Sequence, residues 1–308
     1  MVQRKSKTQM ENRRLQRYLQ VVRVGRSWRV LDVLSVVYEE TVIMKKLWLE
    51  ADMETPQRLE LPSGEVAVYS RRCPDKTSPN EDAALVFPVD EKRVVLAVAD
   101  GCGGMAGGAD ASRIVLKAIK NSLARATEED SLRSAILDGI ELANAKVLKL
   151  GVGAATTLAV AIADGEFIRS FHIGDSRVVL VGSRGKIKLQ TPTHSPVGYA
   201  VEAGILSETD AMTHEDLHIV SNVVGARDCW IEVGMRRKMA NRDTLILGSD
   251  GVFDNLSVDE ICDVIRTGPI KEAAEQLATR TGERIANDSG EHPNKPDDAT
   301  YVLFRKNG

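Results

Sequence analysis

The feature that most constrains this chain is a series of short apolar runs with acids at their ends. From about Glu65 the sequence reads EVAVYS, AALVF, RVVLAVA, ATTLAVAIA, EFIRSFHIG, RVVLVG, KIKLQ, DTLILGS and ATYVLF, each of strand length and rich in β-branched residues. Helical periodicity falls between these blocks in pairs. Ile114, Val115, Ala118 and Ile119 mark one helix, and Leu132, Ile136, Ile140, Ala143 and Val147 mark the next. After DTLILGS, Ser257 and Glu260 stand at capping-box spacing, and Pro269 precedes a face of Ala273, Ala274, Leu277 and Ala278. Helices in pairs, rather than one after every strand, disfavour a doubly wound parallel sheet. They predict an α+β fold, an antiparallel sandwich with flanking helices.

Composition bounds the function classes. The 308 residues carry 41 basic and 44 acidic side chains with 43% hydrophobic content, which excludes a disordered chain and a strongly basic nucleic-acid binder. Cys73, Cys102, Cys229 and Cys262 lie far apart with no Cys-x-x-Cys pair, against a disulfide framework or thiolate zinc site, and a reducing cytoplasm is expected. Residues 1–30 hold nine Lys/Arg against Glu11 alone, so this segment differs in kind from the rest. Leu15, Leu19 and Val22, then Leu31, Leu34 and Tyr38, predict two amphipathic helical stretches around Gly25 to Trp28. Residues 1–62 are therefore read as a basic, partly helical arm that packs on the main domain or a partner, and 63–308 as the main domain. The apolar stretches of the arm are broken by Arg23, Arg26, Arg29 and Asp32, and neither a secretory signal nor a transmembrane segment is expected.

The chemistry starts from where the acids fall. Asp100, Asp175 and Asp250 end apolar runs, whereas Glu81 with Asp82 and Asp297 with Asp298 precede them. In an antiparallel sheet the C-end of one strand lies beside the N-end of its neighbour, so all five positions can converge on one edge. An Asp-Gly pair such as Asp100-Gly101 or Asp250-Gly251 is by itself a turn signal. Acids at the ends of five separate runs are more than turn chemistry supplies. Crowded carboxylates require cations, and an all-oxygen donor set selects Mg²⁺ or Mn²⁺ over zinc or copper. Two such ions can share a water, acidify it and deliver it to phosphorus.

The segment GCGGMAGG satisfies G-x-G-x-x-A through Gly101, Gly103 and Ala106. A dinucleotide fold would then need a second parallel strand, and a second helix follows instead. The glycines are better explained as a tight turn that offers the Gly101 carbonyl to a metal or its water.

Taken in order, NEDAAL, VVLAVADGCGG, GAATTLAVAI, HIGDSRVVLV, THSPVGYAVEAGILSETDA, LILGSDGVFDNLS and PDDATYVLF resemble the metal-dependent Ser/Thr protein phosphatases of the 2C (PPM) family, bacterial type. The resemblance implies a four-layer αββα sandwich that hydrolyses phosphoserine and phosphothreonine in a phosphorylated protein, with signalling as its setting. It implies two Mg²⁺ or Mn²⁺ ions and a third, weaker one. Asp82, Asp100 and the Gly101 carbonyl resemble the ligands around the bridging water, with Glu81 as an outer acid. Asp250 and Asp297 resemble the remaining ligands, Asp298 a supporting residue, and Asp175 and Asp254 the third site. Asp82, Asp100 and Asp250 are thus the expected catalytic residues. Ser195 to His218 resembles the flap that selects substrates.

Two departures stand out. Thr77 occupies the place of the family's phosphate-binding arginine, leaving Lys76, Arg71 or Arg72 as replacements, although Lys offers a point charge rather than a fork. Cys102 takes the place of a histidine general acid found in many eukaryotic members. It is read as a space-filler, as His172 is read as a packed histidine and His194 as a turn residue. The alternative function is a pseudophosphatase, a regulatory phosphoprotein-binding module on the same scaffold. The arm suggests a regulatory partner, as in a partner-switching phosphatase.

Overall fold

A computed structural model describes residues 18–24, 27–33, 45–102, 107–126, 131–151, 153–286 and 292–307. The chain divides into two units, Met1–Val42 and Ile43–Gly308. In the first, strands β1 (Tyr18–Val24) and β2 (Ser27–Val33) form an antiparallel hairpin with Val21 opposite Val30. The helical expectation for Leu19, Val22 and Leu31 is therefore corrected to strand. Valines at 21, 22, 24, 30 and 33 give this segment β-propensity that outweighs a three- and four-residue spacing. Leu15, Leu34 and Tyr38 lie outside the described residues.

The second unit holds the remaining strands: β3 (Lys46–Leu49), β4 (Gln57–Leu61), β5 (Gly64–Arg71), β6 (Ala83–Pro88), β7 (Arg93–Ala99), β8 (Gly101–Cys102) and β9 (Ala155–Thr156). Then follow β10 (Leu158–Asp164), β11 (Phe167–Ile173), β12 (Arg177–Val181), β13 (Ile187–Gln190), β14 (Glu232–Val233), β15 (Arg237–Lys238), β16 (Thr244–Gly248) and β17 (Ala299–Lys306). One sheet runs β14-β11-β10-β7-β6-β3, with β15 also on β11, and the other runs β13-β12-β16-β17-β5-β4. All their pairings are antiparallel. Because β3 pairs with β6 and β4 with β5, residues 46–61 belong to the sandwich. The expected boundary at 62/63 falls inside a hairpin, and the separate N-terminal unit is shorter than expected.

Side-chain alternation explains the layering. In β7, Val94, Leu96 and Val98 face the other sheet, where they meet Val178, Leu247 and Val302. Val95, Ala97 and Ala99 face outward onto α1 (Gly108–Leu123) and α2 (Ser131–Leu148), whose Val115, Ile119, Ile136 and Ile140 cover them. In β17, Val302 and Phe304 point inward. Its Tyr301 and Leu303 join Val252, Ile261 and Leu277 on the opposite face. A strand buried on both faces needs a layer on each side, and the result is the expected αββα sandwich.

Among the described residues the further helices are α3 (Pro196–Glu202), α4 (Glu208–Ala211), α5 (Asp250–Phe253), α6 (Val258–Ile265) and α7 (Ile270–Ala286). The Ser257 and Glu260 capping box starts α6 as its spacing predicts. Among the described residues no helix is long and apolar enough to cross a membrane.

Leu247 is fully buried between the sheets. Leu247→Ala should cost about 2–5 kcal/mol in chemical denaturation. A cost under 1 kcal/mol would place it outside the packed layer.

Candidate metal centre

The sheet registers bring the acids together. Ala83 lies opposite Ala99 across β6 and β7, so Asp82, just before one strand, stands beside Asp100, just after the other. Gly248 lies opposite Tyr301 across β16 and β17, which sets Asp250 near Asp297 and Asp298. Asp175 sits where the chain leaves β11 of one sheet for β12 of the other. The expected convergence on one edge of the sandwich is present.

Hydroxyls and glycines fix this edge. The Ser249 hydroxyl donates to Asp82 Oδ2 (2.8 Å), and the Thr300 N–H donates to Ser249 Oγ (3.0 Å), linking an acid of one sheet to the backbone of the other. The backbone oxygen of Asp100 accepts from Thr156 Oγ1 (2.7 Å) and from the Thr157 N–H (2.8 Å). Thr157 Oγ1 in turn lies 2.7 Å from Ser176 Oγ, next to Asp175. A Cβ on Gly251 would meet the Asp298 carbonyl oxygen at 2.0 Å, and one on Gly101 would meet the Gly108 carbonyl oxygen at 2.3 Å. Both positions exclude a side chain so that neighbouring backbone can approach. Gly103 and Ala106 lie outside the described residues.

Asp298 anchors the loop carrying Glu81. Its Oδ1 accepts from the Cys73 N–H (2.8 Å), and its Oδ2 accepts from the Glu81 N–H (2.8 Å) and from Lys76 Nζ (2.6 Å). Lys76 also donates to Glu81 Oε2 at 2.6 Å. Burial alone would lower the Lys76 pKa, but these carboxylates raise it, so it is a fixed ammonium. Lys76 is thus a brace between two acids rather than an open phosphate receptor. Thr77 is exposed, and Arg72 lies 3.6 Å from Asp52.

Electrostatics shows what the edge lacks. Burial raises Asp82 and Asp100 well above the ordinary aspartate range, with Asp298 adding to the first and Asp250 to the second. Burial followed by Asp250 raises Asp175 to about 7, and Asp254 and Asp297 to about 6. Asp175 Oδ1 is buried without a hydrogen-bond partner. Desolvated, mutually repelling oxygens with an unpartnered atom fit a hard divalent cation. Burial, with Asp175 and Asp250 contributing, pushes the Cys102 thiol up to about 12; it remains protonated, in keeping with a filler rather than a reactive thiolate.

A second group escaped the sequence reading. His172 on β11, His194 and Glu232 on β14 bring their donor atoms within 4.8 Å of one another, close enough to hold a metal ion. His172 is 1% exposed, stacks on His194 with ring centroids 4.5 Å apart, and has no hydrogen-bond partner for either ring nitrogen. Burial and then His194 lower its pKa to about 4, so it is neutral. His194 Nδ1 accepts from the Gly174 N–H (3.1 Å) and lies 2.9 Å from Asn222 Nδ2. That leaves the proton on its Nε2, 3.2 Å from Glu232 Oε2. An ion there would have to displace this proton. His194 is accordingly a buried, hydrogen-bonded residue rather than a simple turn residue. The β11–β14 pairing that joins the group spans sixty residues, and no sequence spacing announces it.

The segment Ser195 to His218 contains α3 and α4, capped by Ser195 and Ser207. It borders a cleft of about 470 Å³ whose lining includes Arg177, Thr193, Val197, Asp254 and Ser257.

The family profile described as Protein phosphatase 2C matches residues 71–288. Protein phosphatase PhpP of Streptococcus pneumoniae serotype 2 is 29% identical over 225 residues, covering 70% of this chain and 88% of PhpP. Serine/threonine phosphatase stp of Listeria welshimeri is 28% identical over 240 residues, covering 74% and 90%. Among solved structures, the S. agalactiae serine/threonine phosphatase superposes with a TM-score of 0.68 at 25% identity, over 78% of this chain and 98% of that one. The catalytic domain of PstP in complex with two manganese ions gives 0.62 at 25% identity, over 79% and 98%.

Asp175, Asp254 and Asp297 hold protons to higher pH when folded than when unfolded. Their contribution to metal-free stability is therefore lost as pH rises from about 4, the ordinary aspartate value, through about 6 to 7. A divalent ion needs the ionised forms and reverses that loss. The rise in Tm on adding Mn²⁺ should be small near pH 5 and grow by about pH 7.5. A pH-independent rise would contradict binding of a divalent ion at this acid edge.

Proposed function

Because the chain belongs to the protein phosphatase 2C family of metal-dependent serine/threonine phosphatases, we propose that the buried aspartate edge is its reaction centre. The observation that carries this reading is the convergence of Asp82, Asp100, Asp175, Asp250 and Asp297 from five strand ends, where burial and neighbouring carboxylates raise Asp82, Asp100, Asp175 and Asp297 above the ordinary aspartate range. The substrate is a phosphoserine or phosphothreonine in a protein.

Asp82, Asp100, Asp250 and Asp297, with the Gly101 carbonyl, would hold Mg²⁺ or Mn²⁺. When bound, these ions supply an acidified water and positive charge facing the phosphate. The chain's own groups do the rest. Ser249 orients Asp82 through the 2.8 Å bond. Thr156 and Thr157 fix the backbone of Asp100. Asp298 and Lys76 hold Glu81 at the rim. The flap and the cleft beside Asp254 would receive the polypeptide around the phosphorylated residue. The basic residues 1–30 suit an acidic regulatory partner, and the free cysteines Cys73, Cys102, Cys229 and Cys262 suit a reducing cytoplasm.

The second reading, a pseudophosphatase, draws on Thr77 and on the engagement of Lys76 with two acids. The full set of acids at the edge favours the enzyme.

Hydrolysis of p-nitrophenyl phosphate and of a phosphothreonine peptide should require Mn²⁺ or Mg²⁺ and stop with EDTA. Asp100→Ala and Asp250→Ala should lose activity by orders of magnitude while still unfolding cooperatively, and Asp175→Ala should lose less toward the aryl phosphate. Undiminished turnover in EDTA would remove the mechanism. Metal-dependent binding of phosphoproteins without turnover would favour the pseudophosphatase.

A further inference from the structure

The acid edge already contains a cation of its own. Lys295 Nζ donates to Asp250 Oδ2, lies 3.1 Å from Asp254 Oδ2 and stands 3.6 Å from Asp297 Oδ2. Its position is built rather than incidental. The Lys295 N–H donates to Asn255 Oδ1 (2.9 Å), and Asn255 Nδ2 donates back to the Lys295 carbonyl (2.9 Å). Asn255 is fully buried and also donates to the Gly251 carbonyl oxygen at 2.9 Å, so the clamp is continuous with the helix that carries Asp250. Asn294 Nδ2 donates to the Arg284 carbonyl (2.6 Å), and Pro293 and Pro296 restrict the backbone on either side.

Resting on the reading of this edge as the metal centre, we propose that Lys295 is a tethered cation of that centre, holding the Asp250, Asp254 and Asp297 corner together before any ion arrives and replacing the divalent ion that Asp254 would otherwise help to bind. An ammonium and a divalent ion cannot share the same carboxylate oxygens, because the two cations repel at contact distance. Lys295 donates its hydrogen bonds to Asp250 Oδ2 and Asp254 Oδ2, which leaves Asp250 Oδ1 for an ion on its other side. Arg177, whose charge also acts on Asp254, adds a second positive group at that corner. Asp254, read from sequence as a ligand of the third site, becomes on this account the partner of Lys295. Lys295 is a positioning residue that sets how many ions the centre takes.

The test uses the full chain stripped with EDTA, Mn²⁺ as the probe, ion stoichiometry by equilibrium dialysis and metal-free Tm by calorimetry. Wild type should bind two Mn²⁺. Lys295→Met should have a lower metal-free Tm and bind one ion more, and adding Asp254→Asn to it should return the count to two. Asp254→Asn alone, and Lys295→Arg, should both keep two. Loss of an ion in Asp254→Asn would make Asp254 a metal ligand and overturn the proposal even if Lys295→Met fails to fold. An unchanged count and Tm in Lys295→Met would also overturn it while leaving the metal centre intact. A wild type that binds no Mn²⁺ would overturn both readings.

Discussion

Like charges gathered in a desolvated edge are the constraint on which the rest of this structure depends. The fold places Asp82, Asp100, Asp175 and Asp297 where burial and mutual repulsion favour the protonated form of carboxyls that would be ionised in water. Hydrophobic layers on both sides of each sheet fix the backbone that carries these acids, so they cannot separate freely to relieve the repulsion. Positive charge has to be supplied instead. Lys76 supplies it to Glu81 and Asp298, and Lys295 to the Asp250 corner. Asp82, Asp100 and Asp175 have no Lys or Arg partner among the described ion pairs.

The same packing links the acid edge to the stability of the sandwich. Ser249 serves both, since its hydroxyl orients Asp82 while its backbone N–H donates to the Thr300 carbonyl at 3.0 Å. Thr300 Oγ1 donates onward to Ser70 Oγ (2.8 Å), which also receives Asn80 Nδ2 (3.1 Å). Asn80 Oδ1 accepts from the Asp82 N–H at 2.8 Å. This buried polar ring joins the segment just before β6 to the start of β17 across the two sheets. A fully satisfied network of this kind specifies one arrangement of the strands, and that arrangement is the one that gathers the acids.

Much of this was legible in the sequence. The core strands β5 to β7, β10 to β13, β16 and β17 follow from apolar runs, and the convergence of acids at one edge follows from antiparallel pairing alone. What escaped did so for physical reasons. KLWL and QRLEL are edge strands with half-buried or exposed side chains, so their hydrophobic signal is weak. The Val-rich segment around Val21 and Val30 carries a spacing that mimics a helix, yet it pairs as a hairpin. Lys76 read as an open cation because its partner Asp298 lies 222 residues away. Lys295 and the group of His172, His194 and Glu232 left no pattern, because tertiary contact alone assembles them.

Two groups of side chains therefore compete for the description of metal centre. The aspartates are hard oxygen donors facing a cluster of unmet charge. The histidine group is tighter, but the hydrogen bonds at His194 Nδ1 place a proton on the nitrogen that an ion would need. Anomalous diffraction at the manganese edge, from crystals grown with Mn²⁺, separates the two directly. Peaks among Asp82, Asp100, Asp250 and Asp297, with none at His172, are the predicted result. A peak bound by His172, His194 and Glu232, with the aspartate edge empty, would contradict the account.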